Sequence, residues 1–190
     1  MANDGWLACS GGVELWAAIR GRRMVRSFAP DAVEAAAVDR VVDAGHRAPA
    51  AGATDGRAFV VLEGPGQSAR YWDVTLPAGE RRDHFTHPGL LAAPVLVVVW
   101  CRPDAYVERY AEPDKDRSAT LGATVDDWPQ PYWWVDAGCA VEAMLLAAVD
   151  EGLGACLFGL FDHEAAVAGA LGVPAGWRAV GTIALGVPGG

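Results

Sequence analysis

Lysine is nearly absent from this chain. Fourteen of its 15 basic residues are arginine, and the single lysine, Lys115, sits in the acidic stretch Glu112-Pro-Asp-Lys-Asp-Arg117. That excludes a Gly-Lys-Ser/Thr phosphate loop and leaves no desolvated amine for Schiff-base chemistry. Cysteine is scarce too. Cys9, Cys101, Cys139 and Cys156 are widely spaced with no Cys-x-x-Cys pair, which speaks against a disulfide framework. Three of the four lie in apolar runs, where a thiol acts as a small hydrophobe. Positive charge is short overall: 15 basic residues face 24 acids, for a net charge of -9. Such a chain repels nucleic acid and anionic membrane surfaces unless its cations cluster. A basic, apolar leader is missing as well. Residues 1–12 are small and polar, and are expected to form a flexible leader rather than a signal peptide. The longest apolar run, Leu90 to Cys101, is too short to cross a bilayer and is broken by Pro94. These absences lead us to expect a reduced, cytoplasmic protein.

What is present suffices for a core. A chain of 190 residues, 52% hydrophobic, fits one domain over 1–190. Helical spacing marks Val13 to Arg20, and Pro30-Asp31 is expected to open a second helix running to about His46. Pro49 ends it in the small-residue loop through Gly56, after which Ala58 to Leu62 has strand character. A short helix from Gly64 to Trp72 precedes Asp73 to Pro88, which shows no period and is expected to be surface loop or lid. Pro94 to Cys101 is a continuous β-branched run, the pattern of a strand buried on both faces, followed by a helical stretch from Pro103 to Tyr110. Ala111 to Pro131 forms a second, acidic loop. From Tyr132 to Glu151 the apolar residues wrap most of a helix, which must therefore be central or packed on a second subunit. A strand at Ala155 to Phe158, a helix from His163 to Leu171 and a strand at Ala179 to Leu185 complete an α+β order of about five helices and four strands, a single sheet flanked by helices.

Four cations fall within Arg20-Gly-Arg22-Arg23-Met-Val-Arg26, whereas Ser118 to Gly190 holds one arginine and eight acids. Arginine forks suit phosphate or carboxylate, although cations also collect at solvated helix ends. Glu63-Gly64-Pro65-Gly66-Gln-Ser-Ala69 after a strand is a weak dinucleotide fingerprint, and equally a good turn. His84-Phe-Thr-His87 brings two imidazoles together without a third metal ligand, and no metal is expected. No Gly-x-Ser-x-Gly elbow occurs. The aromatic clusters Tyr132-Trp133-Trp134 and Phe158 to Phe161 fit core, interface or a stacking platform.

In order along the chain, Arg22-Arg23-Met-Val-Arg26-Ser-Phe28, His46 to Val61, Val135 to Ala148 with Gly152 to Gly159, and Leu171-Gly-Val-Pro174 with Ala184 to Pro188 resemble the nitroreductase family of flavin oxidoreductases. The resemblance spans nearly the whole chain. It implies an α+β fold that dimerises through central helices, with FMN at the subunit interface and NAD(P)H as reductant. By position, Arg22 and Arg23 would hold the phosphate and ribityl side, and Arg26 the N1 and O2 edge of the ring, with Met24 beside them where serine is common. Phe158, Gly159 and Leu160 would lie along the N5 side. Pro49, Ala50, Ala53 and Asp55 match a family motif whose polar side chains bond the flavin; alanine or aspartate here replaces them. The basic residues that often close on the phosphate are expected to be missing, because the chain runs only to Gly190. The resemblance thus leaves open FMN, another flavin or a deazaflavin, and either a turning-over enzyme or a protein of altered site that binds or sequesters a flat anion. The acceptor implied is a small conjugated molecule such as a nitroaromatic or quinone, or the cycle runs as oxidation of a biosynthetic substrate. Trp72, Trp128, Trp133 and Phe161 are candidate substrate contacts.

Overall fold

A computed structural model describes residues 12–189; the leader expected at 1–12, with Cys9, lies outside the described residues except for Gly12. Among the described residues seven α-helices and four strands follow one another: α1 (Leu15–Gly21), α2 (Ala35–Arg47), β1 (Arg57–Glu63), α3 (Gly64–Thr75), α4 (Glu80–Asp83), β2 (Val95–Cys101), α5 (Pro103–Tyr110), α6 (Tyr132–Asp150), β3 (Gly154–Phe158), α7 (Glu164–Leu171) and β4 (Arg178–Gly186). The strands form one antiparallel sheet in the order β1-β2-β4-β3.

β2 is central, and every residue in it is buried. Because side chains alternate along a strand, its two faces feed separate cores. Leu96, Val98 and Trp100 join Tyr71 and Trp72 of α3 and Val167 of α7. Val95, Val97 and Val99 meet Val38 and Val41 of α2 and Val141, Met144, Leu145 and Ala148 of α6. The β-branched run of the sequence is thus a strand sandwiched between two helical layers. A third cluster, Cys101, Tyr106, Trp128, Trp133 and Ala137, closes the end of the sheet near the start of α6.

α6 is the described helix whose length and composition would allow it to cross a membrane. Eight of its 19 residues are instead buried in this fold, among them Ala140, Met144 and Ala148. Its other side carries exposed Trp134 and Val135. α1 packs beside α6 and presents exposed Leu15, Trp16 and Ile19, and the Val13 amide donates to the Asp150 carboxylate at the far end of α6.

Three expectations change in detail. The second helix begins at Ala35 rather than at Pro30, because Ala29 donates to the Val187 carbonyl and the N-cap is Glu34, whose backbone is extended. α3 continues to Thr75, and the segment expected to be loop contains the one-turn α4 and a 3-10 turn at Pro88–Ala92. The dinucleotide reading of Gly64 and Gly66 also fails, since the strands flanking α3 pair antiparallel with each other and a mononucleotide-binding βαβ unit needs them parallel.

Candidate functional site

Residues 24–29 run as an extended ribbon across the end of the sheet. Val25 donates to the Ala155 carbonyl at 2.9 Å, Met24 bridges to Ala155, and Phe28 bridges to Pro188 beyond β4. Phe28 enters the core with Trp72 and Leu96, against which Met24 and Val25 also pack. Arg23 and Val25 line a separate hollow of about 320 Å³ with Leu145, Val149 and Pro188. Arg22, at the end of α1, faces Glu142 of α6 at 3.8 Å. Sequence adjacency therefore does not make one patch; the cations divide among three surroundings.

Arg26 opens onto a cavity of about 620 Å³. Its walls are Tyr71 and Trp72 from α3, the segment Arg81 to His87 around α4, and the strand end Cys156 to Phe161. Volumes of a few hundred cubic ångströms are usual for cofactor and ligand sites. Two arginines and three of the four histidines of the chain (His84, His87, His163) line it, and no acid does. In a chain of net charge -9 this is where an anion is welcome. Among the described residues no three His, Cys, Asp or Glu gather to hold a metal; His84 and His87 belong to this wall instead.

The cavity wall is aromatic and chemically quiet. Trp72 stacks on Phe158 with centroids 5.8 Å apart and planes 10° from parallel. Thr182 Oγ1 donates to Tyr71 Oη at 3.1 Å, and burial pushes the Tyr71 phenol up to about 12, so it keeps its proton near neutrality. Burial likewise raises the Cys156 thiol, with Arg26 opposing, which leaves a poor nucleophile. Gly159 follows the last paired residue of β3, and a Cβ there would meet the Phe161 ring at 3.2 Å, so this turn accepts only glycine without moving that ring.

Pro49, Ala50, Ala53 and Asp55 lie elsewhere. Their loop is tied to the start of α6: the Ala51 amide donates to Asp136 Oδ2 at 2.7 Å, and the Arg57 guanidinium donates to the Pro49 and Ala48 carbonyls. Pro49, Ala53 and Asp55 are exposed. Asp136 itself is buried and also accepts from Tyr106 Oη at 2.8 Å. Trp128 and Trp133 pack with Tyr106 at this same end, away from Trp72 and Phe161. One chain therefore unites Arg26, Phe158, Gly159, Leu160, Trp72 and Phe161, while Arg22, Arg23, the Pro49–Asp55 loop and the tryptophans Trp128 and Trp133 stand apart.

Backbone strain links the two separated groups. Among the described residues only Ala53 (φ 56°) and Phe161 (φ 50°) are non-glycine residues in the left-handed region. Ala53 lies in the loop that the family resemblance places against the cofactor, Phe161 is a candidate substrate contact directly after the Phe158–Leu160 segment, and such strain concentrates at functional sites. Phe161 is also 86% exposed despite its size. For Ala53 the left-handed conformation costs roughly 1–2 kcal/mol, whereas glycine in its place would cost about 0.5–1 kcal/mol in lost chain freedom. Ala53→Gly should accordingly raise stability by about 0.5 kcal/mol in urea denaturation; a loss of stability would show that the methyl group packs favourably.

Sequence reasoning missed Asp136 as the anchor of the loop, although an acid inside an otherwise apolar helix was the available signal. It also missed Arg81 and His163, which only tertiary folding brings beside Arg26.

The model of the Nitroreductase family matches residues 19–187, and the chain belongs to that family. Solved structures share its fold. A nitroreductase family protein from Clostridium novyi NT is 24% identical with a TM-score of 0.69, the match covering 93% of this chain and 86% of that one. A Desulfovibrio desulfuricans protein solved in complex with FMN is 26% identical, TM-score 0.66, covering 94% of this chain and 88% of that one. A nitroreductase with bound FMN from Bacteroides fragilis is 21% identical, TM-score 0.66, covering 93% and 89%.

Proposed function

We propose that this chain is an FMN-dependent oxidoreductase, reduced by NAD(P)H and acting as a homodimer in the cytoplasm on a small conjugated acceptor such as a quinone or nitroaromatic, or on a biosynthetic substrate that it oxidises. The observation that carries the proposal is the acid-free cavity where Arg26, the Gly159 turn and the strained, exposed Phe161 meet. Its size and positive lining fit a flat, anionic cofactor. When bound there, FMN supplies two-electron transfer between nicotinamide and acceptor.

The residues of the chain bind and bias. A guanidinium at Arg26 favours the charge that a flavin gains on reduction. Trp72 and Phe158 exclude water from one side of the cavity, and the Gly159 turn permits close backbone approach. We assign no acid or base, since Tyr71 and Cys156 both hold their protons.

The homodimer is supported by the division of the site. Asp136, which holds the Pro49–Asp55 loop, and Val149, beside Arg23, lie 13 residues apart on one straight helix, or about 20 Å. A second copy packed on the exposed side of α6 and α1 would bring its own loop to the Arg22–Arg26 ribbon.

Purified protein loaded with FMN should be yellow, bleach with NADH or NADPH without oxygen, and regain colour with a quinone. Arg26→Ala should weaken FMN by about 1.5–3 kcal/mol, the worth of a hydrogen bond to a charged group. A colourless dimer that takes up no FMN in a titration would sink the proposal, and unchanged affinity in Arg26→Ala would move the flavin to another site. The loss of polar groups at Ala50 and Ala53 favours a second reading, a binding protein that takes up flavin without turnover; a yellow preparation that neither nicotinamide bleaches would establish it.

A further inference from the structure

Among the described residues every arginine but two either faces an acid or donates to a backbone carbonyl. The two are Arg20 on α1 and Arg81 on α4, and of these only Arg81 lines the Arg26 cavity, where no acid offsets it. The next residue shows the contrast. Arg82 faces Asp73 at 3.6 Å and lines a different cavity, of about 710 Å³, with it. Consecutive residues on a helix point about 100° apart, so the turn that gives Arg82 to Asp73 leaves Arg81 to the Arg26 cavity. Arg81 is exposed, and a ligand can reach it. His84, exposed three residues on at the end of the same turn, shares the wall. His163 is set aside, because the exposed Asp162 faces it at 3.6 Å.

An arginine bare to solvent is ordinary by itself, but this one shares its cavity with a bare ring. Phe161 lines the same hollow, largely exposed and held on a left-handed backbone. A strained position that keeps a large apolar ring in water suits a ring that is covered by a ligand. We infer that this wall is the substrate half of the site and selects a flat aromatic acid, a nitroaromatic or quinone that carries a carboxylate. Arg81 holds the carboxylate with help from His84, the ring of the substrate lies against Phe161, and Arg26 is left to the flavin. One guanidinium beyond Arg26 matches one negative charge, and its planar fork matches two carboxylate oxygens. The inference rests on the flavin reading and deepens it by naming the substrate class. The carboxylate is unchanged in turnover: the hydride of NAD(P)H and one solvent proton together supply the two electrons and two protons that convert a nitro group to nitroso and water, or a quinone to its hydroquinone.

The test uses full-length protein loaded with FMN, uptake being read first from the flavin absorbance. Benzoate and benzamide, which differ in charge but hardly in shape and are not reduced, are then titrated by calorimetry. Benzoate should bind about tenfold more tightly or better, and in Arg81→Gln that preference should fall to about twofold or less. Turnover should follow: kcat/KM for 4-nitrobenzoate relative to 4-nitrobenzamide falls about tenfold in Arg81→Gln. The inference is overturned if the native protein does not prefer benzoate, or if Arg81→Gln keeps the preference. It is overturned equally if Arg81→Gln leaves the preference alone and instead weakens FMN or raises KM for the nicotinamide, which would assign Arg81 to a cofactor phosphate. Protein that takes up no FMN fails the flavin reading and this one with it, whereas protein that takes up FMN and bleaches with nicotinamide but shows no benzoate preference fails this one alone.

Discussion

Asp136→Ala should lower the melting temperature by about 6–12 °C. Asp136 is 5% exposed, and its Oδ2 accepts at once from the Ala51 amide and from the Tyr106 hydroxyl. Burial first, and then the bond to Asp136, push the Tyr106 phenol well above its ordinary range, so the phenol remains the donor and the carboxylate the acceptor. Alanine leaves both donors buried without a partner and a small void among Tyr106, Trp133 and Ala137. Lost hydrogen bonds to a buried charge cost about 3 kcal/mol together, and in a domain of this size each kcal/mol corresponds to roughly 2–4 °C. Asp136→Asn keeps the shape and one acceptor oxygen and should cost about half as much. Thermal unfolding followed by circular dichroism distinguishes them; equal melting temperatures for the native protein and Asp136→Ala would mean that the loop is held by Arg57 alone.

The same residue shows where sequence patterns lose sight of the fold. β2 was legible because a run of valines has one stable place, the centre of a sheet covered on both sides, and α6 because its apolar residues exceed what one face can bury. Both follow from periodicity, which is local. The end of the sheet where the cavity forms depends on bridges over long separations: Ala155 meets Met24 in parallel, and Pro188 meets Phe28 antiparallel. No local pattern announces that Arg81, His84 and His163 will share a wall with Arg26. The cation cluster was legible as a cluster, but its division was not, since the surroundings of Arg22, Arg23 and Arg26 are set by α6, by Val149 and Pro188, and by the strand end at Cys156 to Phe161. A helix over the same residues would have grouped the cations differently. The Pro49–Asp55 loop was placed by resemblance, and what fixes it, a carboxylate 85 positions away from Ala51, is tertiary.

Separation of the two halves also sets the second large effect, on assembly. Trp16 is 60% exposed and Val135 is 50% exposed, on the neighbouring helices α1 and α6. Trp16 lies toward the Asp150 end of α6 and Val135 near its start, so exposed apolar side chains stand at both ends of this helix pair, as they do at interaction sites. Charges introduced there barely disturb a monomer, because both side chains already face solvent, but would be buried unpaired in a dimer formed through this face, at several kcal/mol for each. The double variant Trp16→Glu, Val135→Glu should therefore keep its melting temperature at low protein concentration, elute as a monomer in size-exclusion chromatography with light scattering, and lose FMN affinity by about 100-fold or more, the equivalent of two charge-assisted contacts. The loss of flavin is expected because, in the proposed dimer, the Pro49–Asp55 loop of one chain would sit beside the Arg22–Arg26 ribbon of the other. Two outcomes count against this. A variant that remains dimeric places the interface on a different face, and a monomer that binds FMN as tightly as the native protein shows that the Arg26 cavity alone holds the cofactor, with the loop and its strained Ala53 serving something else.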